Sequence, residues 1–258
     1  VERPTTEGIF EQIENEAKNN TSTGRPNRVR AKKISYAEDT SYAVIEPETE
    51  PKNFQEALKT ADAEKWKESI KNEFETLQRN KVWEIVSTPQ EPKKSIDTTW
   101  VFKKKRNQDN TVASYKARMV VKGYTQIKGA HYDETFAPVA ANSTIFCFLT
   151  AVQNKGLEIY SADVECAFQL SPIDYEIYLS KIEGLELPPG KSIRLLKTLY
   201  GLKQSGNRFY QYLTDILKST GWKPSLYDPC LFYKNDLLLC LYVDDMMIAA
   251  PNEEIAIE

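Results

Sequence analysis

An apolar run over residues 237–250, interrupted by the adjacent acids Asp244 and Asp245, constrains this chain more than any other feature of its sequence. Residues 237–243 and 246–250 have the composition of buried strands, so the two acids are predicted to occupy a tight corner between them. Two acids at a hairpin tip usually form a solvated turn. Here the apolar flanks favour a cleft floor or a sheet edge, where adjacent like charges are costly unless a cation offsets them. Magnesium, which prefers oxygen ligands, is the natural cation.

Asp163 is a third acid in a comparable position, at the end of a strand predicted over residues 157–164. If that strand pairs beside the 237–250 hairpin, the three carboxylates converge on two metal ions. Two ions about 3.5–4 Å apart can activate a primer 3′-hydroxyl and stabilise the leaving pyrophosphate. This chemistry needs neither histidine nor cysteine. The chain has one histidine and four cysteines with no CxxC pair, which argues against a zinc site.

Helical periodicity is clear in three segments of the chain. The first helix begins near Asp62 and buries one face, formed by Trp66, Ile70, Phe74 and Leu77. The second is capped by Asn142 or Ser143 and runs to about Lys155, with Gly156 as its stop. The third is amphipathic and ends at Gly221, with its apolar side formed by Phe209, Leu213, Ile216 and Leu217.

Short strands separate and follow these helices. They are predicted over residues 82–86, 98–106, 111–122, 157–164, 177–179, 193–196, 231–234, 237–243 and 246–250. Because helices and antiparallel strands are mixed, the predicted fold class is α+β. Residues 1–52 have no sustained apolar period and are predicted to be a disordered linker between domains, with one folded domain over residues 53–258.

Basic residues are concentrated in two segments, although the net charge is only −3. Residues 100–130 and 188–212 are rich in lysine and arginine, which favours a polyanionic partner. The longest apolar stretch, residues 237–250, is too short to span a bilayer. Since the chain opens on Val1 with polar sequence and has no signal peptide, we expect a soluble protein of a reducing, intracellular compartment.

Seven stretches of the chain, in order, resemble the reverse transcriptase domain of copia-type LTR retrotransposon Pol polyproteins. They are residues 80–86, 100–103, 115–124, 132–139, 163–164 with 167–168, 199–204 and 242–245. The similarity covers residues 53–258. It implies a fingers-and-palm architecture, with an antiparallel palm sheet backed by helices and a C-terminal end that is incomplete. The activity it implies is RNA-directed DNA polymerisation, which this fragment alone is expected to perform inefficiently or not at all.

The resemblance assigns the catalytic and metal-binding roles by position. Asp163, Asp244 and Asp245 match the catalytic acids, and the Val164 carbonyl oxygen is a further metal ligand. The implied cofactor is a pair of Mg²⁺ ions, with Mn²⁺ as the alternative ion.

Binding of the incoming dNTP is assigned in the same way. Arg118 matches an arginine that clamps the triphosphate, assisted by one of three consecutive lysines, of which we take Lys103 as the candidate. Phe168 matches the aromatic residue that excludes a 2′-hydroxyl; its alternative role is as a core aromatic. The loop beside the template base and the nucleotide is represented by Gly201, Lys203 and Gln204.

The expected partners are an RNA or DNA template with its primer, dNTPs, and the rest of the polyprotein, namely thumb, RNase H and an upstream integrase. The expected location is a cytoplasmic virus-like particle, with nuclear access as a further option. The main alternative is an inactive transposon relic or a domesticated nucleic-acid-binding module, favoured by departures from the family pattern at Phe146, Glu165 and Cys166. An unrelated two-metal phosphatase or nuclease would explain the acids but not the other stretches.

Overall fold

The computed structural model describes residues 50–89 and 95–257, which contain five α-helices and ten β-strands. The helices are Phe54–Ala57 (α1), Ala63–Arg79 (α2), Asn142–Lys155 (α3), Ser205–Ser219 (α4) and Glu253–Ile257 (α5). The strands are Trp83–Ser87 (β1), Thr98–Arg106 (β2), Val112–Val121 (β3), Glu158–Asp163 (β4), Tyr178–Leu179 (β5), Lys191–Leu195 (β6), Lys223–Pro224 (β7), Leu231–Lys234 (β8), Leu237–Tyr242 (β9) and Asp245–Ala250 (β10). Nearly all of the predicted linker over residues 1–52 lies outside the described residues, so that assignment stays a prediction.

The ten strands form three antiparallel sheets. Strands β2 and β3 form a two-stranded hairpin, β1, β6 and β5 form a three-stranded sheet in that order, and the remaining five are ordered β4-β10-β9-β8-β7. The predicted α+β mixture is therefore confirmed, and every predicted strand is present with its ends within two residues of the prediction. The short elements α1, β7 and α5 were not predicted, because they lack a full period of apolar residues.

Helix α2 packs its predicted apolar face against the hairpin. Trp66, Ile70, Phe74 and Leu77 are all fully buried. The Trp66 ring meets Phe102 of β2 edge-on at 5.2 Å between centroids. Rings that meet edge-on attract each other in addition to burying apolar surface. The helix and the hairpin together form one hydrophobic core.

Asp62 lies at the predicted N-cap position of α2, but its side chain caps no backbone N–H. The carboxylate instead accepts a hydrogen bond from Lys104 Nζ at 2.7 Å. This bond, with weaker contributions from Tyr115 and Lys65, lowers the pKa of Asp62 to about 2. A residue expected to cap the helix thus ties the helix to the hairpin.

A second core lies between the five-stranded sheet and helices α3 and α4. On α4, Phe209, Leu213 and Leu217 are buried as predicted. Ile216 is 42% exposed, so its assignment to the buried side was wrong. Thr214 is buried instead, so the buried surface of α4 is turned toward Thr214 and away from Ile216.

The start of α3 also differs from the prediction, since Ala141 and neither Asn142 nor Ser143 is the N-cap residue. The carboxylate of Asp228, far along the chain, accepts hydrogen bonds from Ala141 N–H at 3.2 Å and from Thr144 Oγ1 at 2.5 Å. The C-terminal end follows the prediction: Gly156 adopts φ 65°, a left-handed conformation suited to glycine. In the described ranges, no helix is long and apolar enough to cross a membrane.

Replacing Asp228 with alanine should therefore destabilise the fold by about 1–2 kcal/mol, as loss of a helix cap does. Urea unfolding followed by far-UV circular dichroism measures this free energy. The matched control is Asp236→Ala, which removes an exposed carboxylate paired with Lys155 at 3.0 Å and should cost less than about 0.5 kcal/mol. Equal losses for the two variants would show that Asp228 does not stabilise the start of α3.

Candidate functional site

The three predicted acids are brought together by the pairing of β4 with β10. Asp163 and Asp245 are direct partners in this antiparallel register. The Val164 N–H donates to the carbonyl oxygen of Asp244 at 3.1 Å, which extends the pairing past the strand end. Side chains opposite one another in such a pair share a face of the sheet. The predicted pairing of the Asp163 strand beside the 237–250 hairpin is thus confirmed.

The corner that carries Asp244 is a tight turn between Tyr242 and Asp245, which are themselves paired. Val243 in this turn has φ 59°. A β-branched residue rarely adopts this left-handed conformation, and such strain persists only where the surrounding structure imposes it. Asp244 is partly buried, while Asp163 and Asp245 are exposed.

The predicted convergence of the three carboxylates into a metal-binding group is not seen in the described residues, although their strands pair as predicted. Among residues 50–89 and 95–257, no group of three His, Cys, Asp or Glu side chains is arranged to hold a metal ion. In the same part of the chain, none of the three acids forms a salt bridge. Carboxylate oxygens that lack a cationic partner are the donor type that Mg²⁺ prefers, so the chemistry of these donors fits the ion.

A cleft of about 410 Å³ opens beside the acids. Helix α2, strand β3, the segment after β4 and Tyr200 form its walls. Four predicted site residues line it: Arg118, Asp163, Val164 and Asp244. The other six do not line the cleft in the described chain: Lys103, Phe168, Gly201, Lys203, Gln204 and Asp245.

Strand β3 supplies the basic wall of the cleft. Ala117 and Met119 are buried in the core, so the alternation of a strand turns Lys116 and Arg118 to the other face. The Arg118 guanidinium carbon lies 5.2 Å from the centre of the Tyr200 ring, within reach of a cation–π interaction. Lys116 was not predicted as a site residue, although its position two residues before Arg118 was the available signal. Burial, with the charges of Lys105 and Arg118, lowers the pKa of Lys116.

Two of the three consecutive lysines of β2, Lys103 and Lys104, have different environments. The Lys104 side chain is 6% exposed and bound to Asp62, so it stabilises the fold. The Lys103 side chain is 65% exposed and forms a 2.9 Å ion pair with Glu50. Lys103 is paired with Lys116 in the hairpin register, which places it on the same face as the cleft-lining cations. Lys103 therefore stays a candidate, as does Lys105, whose charge acts on Lys116, whereas Lys104 is bound to Asp62.

Phe168 is partly buried and touches the cleft only through its neighbour. Its ring meets Tyr200 edge-on at 4.9 Å and Phe209 edge-on at 6.1 Å. Tyr200, which lines the cleft, thus rests on Phe168. Burial raises the pKa of the Tyr200 hydroxyl, although the Arg118 charge opposes this effect.

The loop over residues 199–204 is pinned against the end of β3 by two glycines. Gly201 has φ 92°, and a Cβ there would lie 2.1 Å from the Val121 carbonyl oxygen. A Cβ on Gly123 would lie 1.9 Å from the Gly201 carbonyl oxygen. Only glycine permits this approach of two backbones, which is completed by a 2.8 Å hydrogen bond from Val121 N–H to Tyr200 O.

Gln204, the last residue of this loop, is completely buried. It donates to the His131 carbonyl oxygen at 2.8 Å and accepts from Gln126 Nε2 at 2.9 Å. Gln126 Oε1 in turn accepts the Lys203 N–H at 2.7 Å, and Lys203 Nζ lies 3.1 Å from the Tyr132 hydroxyl. Gln204 thus supports the loop from within, while its predicted role beside the template stays a prediction.

Comparison with known proteins agrees with this arrangement. The family model described as reverse transcriptase (RNA-dependent DNA polymerase) matches residues 80–257. The chain is 34% identical over 236 residues to the retrovirus-related Pol polyprotein from transposon TNT 1-94 of Nicotiana tabacum, covering 89% of this chain and 18% of that protein. It is 33% identical over 207 residues to the corresponding polyprotein from transposon RE1 of Arabidopsis thaliana, covering 78% of this chain and 14% of that protein.

A more distant relative is the transposon Ty1-BL Gag-Pol polyprotein of Saccharomyces cerevisiae, 26% identical over 196 residues, which are 74% of this chain and 11% of that protein. The chain spans less than a fifth of the length of each of these three relatives. The family match covers more than half of the chain and includes the three acids, Arg118 and the 199–204 loop. This chain therefore belongs to the reverse transcriptase (RNA-dependent DNA polymerase) family, as a domain of the kind found in copia-type retrotransposon Pol polyproteins.

Proposed function

We propose that this chain is the fingers-and-palm part of an RNA-directed DNA polymerase within a retrotransposon Pol polyprotein. The β2–β3 hairpin with α2 corresponds to the fingers, and the five-stranded sheet with α3 and α4 corresponds to the palm. One observation carries the proposal: the register that pairs Asp163 with Asp245 places Asp163 and Asp244 on the wall of a cleft that Arg118 also lines.

The reaction is nucleotidyl transfer. The primer 3′-oxygen attacks the α-phosphorus of a dNTP, a new P–O bond forms, and the bond to the bridging oxygen breaks to release pyrophosphate. Asp163, Asp244, Asp245 and the Val164 carbonyl oxygen would hold two Mg²⁺ ions. These ions supply Lewis-acid activation of the hydroxyl and stabilise the charge that develops on the leaving group.

The basic wall of the cleft suits the triphosphate. The Arg118 guanidinium can donate two parallel hydrogen bonds to phosphate oxygens, and the Tyr200 ring beneath it limits its orientations. Lys116 lines the same cleft, and Lys103 lies opposite Lys116 on the hairpin, so both can add positive charge. Phe168 packs edge-on against Tyr200 and can limit the room at the sugar through this ring.

The remaining partners follow from membership of a polyprotein. A template with its primer would cross the basic face of the hairpin, where phosphate neutralisation supplies binding that depends on salt. A thumb, an RNase H domain and an integrase would come from other parts of the polyprotein. Reverse transcription would take place in a cytoplasmic particle.

Replacing Asp163, Asp244 or Asp245 singly with asparagine should lower primer extension by at least about a thousandfold, because the electrostatic stabilisation supplied by the metal ions is lost. The measurement is single-nucleotide extension of a primed RNA by the Pol chain that contains this segment. The matched control is Asp236→Asn, at the exposed turn between β8 and β9. Near-normal extension by two of the three variants would show that the acids are wrongly assigned. An inactive wild type would indicate a catalytically silent relic.

Shortening Phe168 to valine should admit ribonucleotides, because the sugar pocket gains room for a 2′-hydroxyl. The ratio of kcat/KM for an rNTP to that for the matching dNTP should rise about tenfold or more. Phe136→Val, at an exposed aromatic residue, is the control and should leave the ratio unchanged. If Phe168→Val also leaves it unchanged, Phe168 is only a core residue.

A further inference from the structure

The outer edge of strand β3 has no strand partner among the described residues, yet three of its outward N–H groups have acceptors on other elements. On this edge the N–H groups of Ala117, Met119 and Val121 point away from β2. Their acceptors are Ser69 Oγ at 2.7 Å, Glu73 Oε1 at 3.2 Å and the Tyr200 carbonyl oxygen at 2.8 Å. Two side chains of a helix thus occupy positions where a neighbouring strand would supply carbonyl groups.

Ser69 and Glu73 are four residues apart on α2, so they share one face of the helix. Ser69 is buried and also donates to the Tyr115 carbonyl oxygen at 3.1 Å, which gives the helix bonds to successive outward groups of the strand. The spacing of the two helical residues matches that of alternate residues on the strand. This match fixes the helix and the strand in register with each other.

Glu73 lies in the wall of the cleft, between the basic strand and the segment after β4. Arg118 and Lys116 of β3 line the same cleft, as do Cys166 and Tyr200, and the charge of Glu73 interacts with these groups. Burial raises the pKa of Glu73 to about 7, against the opposing effects of the Met119 N–H and of the two cations. Exposure to water on the helix surface does not explain the position of the Glu73 carboxylate. The hydrogen bond that it accepts from the strand beside Arg118 does.

We infer that Glu73, supported by Ser69, is a positioning residue that holds β3 by its outer edge and so sets the Arg118 guanidinium over the cleft. Arg118 lies between the two residues whose N–H groups bind to α2, Ala117 and Met119. A shift of this edge would move the guanidinium relative to Tyr200 and Asp244. The role of Glu73 in nucleotide binding rests on the function proposed above. The clamp itself, meaning the hydrogen bonds of Ser69 and Glu73 to β3, does not.

The clamp is tested on this chain by NMR, with Glu73→Ala, Glu73→Gln and Ser69→Ala. Two signals report it: the exchange rate of the Met119 amide, and the Arg118 Nε–Hε resonance, which the Tyr200 ring current shifts. In Glu73→Ala the amide should exchange about tenfold faster, and the Arg118 resonance should move toward that of a free arginine. Glu73→Gln keeps an acceptor at the same position and should behave like wild type. Ser69→Ala should move the Arg118 resonance in the same direction without removing the Met119 bond.

The matched control is Glu75→Ala, which removes an exposed carboxylate from the same helix, 4.0 Å from Lys71 Nζ. If the Arg118 resonance and the Met119 exchange rate in Glu73→Ala equal those in Glu75→Ala, the inference is overturned.

The consequence for nucleotide use is tested in primer extension by the Pol chain. Glu73→Ala should raise the KM for dNTP about tenfold with little change in kcat or in primer–template affinity, because the phosphate ligand is misplaced. Glu73→Gln should restore the KM to within about threefold of wild type. An unchanged KM in Glu73→Ala would overturn the positioning role. If the wild-type chain extends no primer, the proposed function fails, and the NMR comparison alone decides whether Glu73 positions Arg118.

Discussion

The antiparallel pairing of β4 with β10 is the constraint on which the arrangement of the site depends. It sets Asp163 opposite Asp245 and ties Val164 to the Asp244 carbonyl oxygen, so acids far apart in sequence meet at one end of a sheet. Because strand side chains alternate, a slip of one residue would move Asp163 to the other face. The apolar side chains of β9 and β10 that are buried against α3 and α4 oppose such a slip. The packing of the core therefore also fixes which acids lie opposite each other.

The cleft lies between the two apolar cores, and each core supplies charged side chains to it. The core of α2 and the hairpin presents Arg118 and Lys116, while the core beneath the five-stranded sheet presents Asp163 and Asp244. The 199–204 loop joins the two, because its Tyr200 bonds to the end of β3 and rests on Phe168 of the other core. The distance between cations and acids therefore depends on this loop, whose backbone is packed against β3 too closely for any residue but glycine at position 201.

Features set by local periodicity could be predicted from the sequence, and features set by distant partners could not. The buried face of α2, the hairpin and the acid corner follow from the spacing of apolar residues, and all are present. Asp62 was expected to cap its own helix, but the ammonium group of Lys104 from another element gives it a stronger partner. The start of α3 is likewise capped by Asp228, which no local pattern connects to it. Gln204 lies in the loop predicted to be beside the template base and the nucleotide, and the bonds of its buried amide to Gln126 and His131 follow from no local pattern.

The charges of the cleft bear on how a nucleotide could enter it. Among the described residues that line it, the acids are Glu73, Asp163, Glu165 and Asp244, and the bases are Arg79, Lys116 and Arg118. A bare triphosphate would be attracted by the basic wall and repelled by the acids beside which its α-phosphorus must lie. Under the proposed function, divalent ions held by the acids would offset this repulsion, because they would supply the positive charge that the acids lack. Under the proposed function, the three acids, which form no salt bridge among the described residues, would be neutralised by the metal ions that enter with the nucleotide.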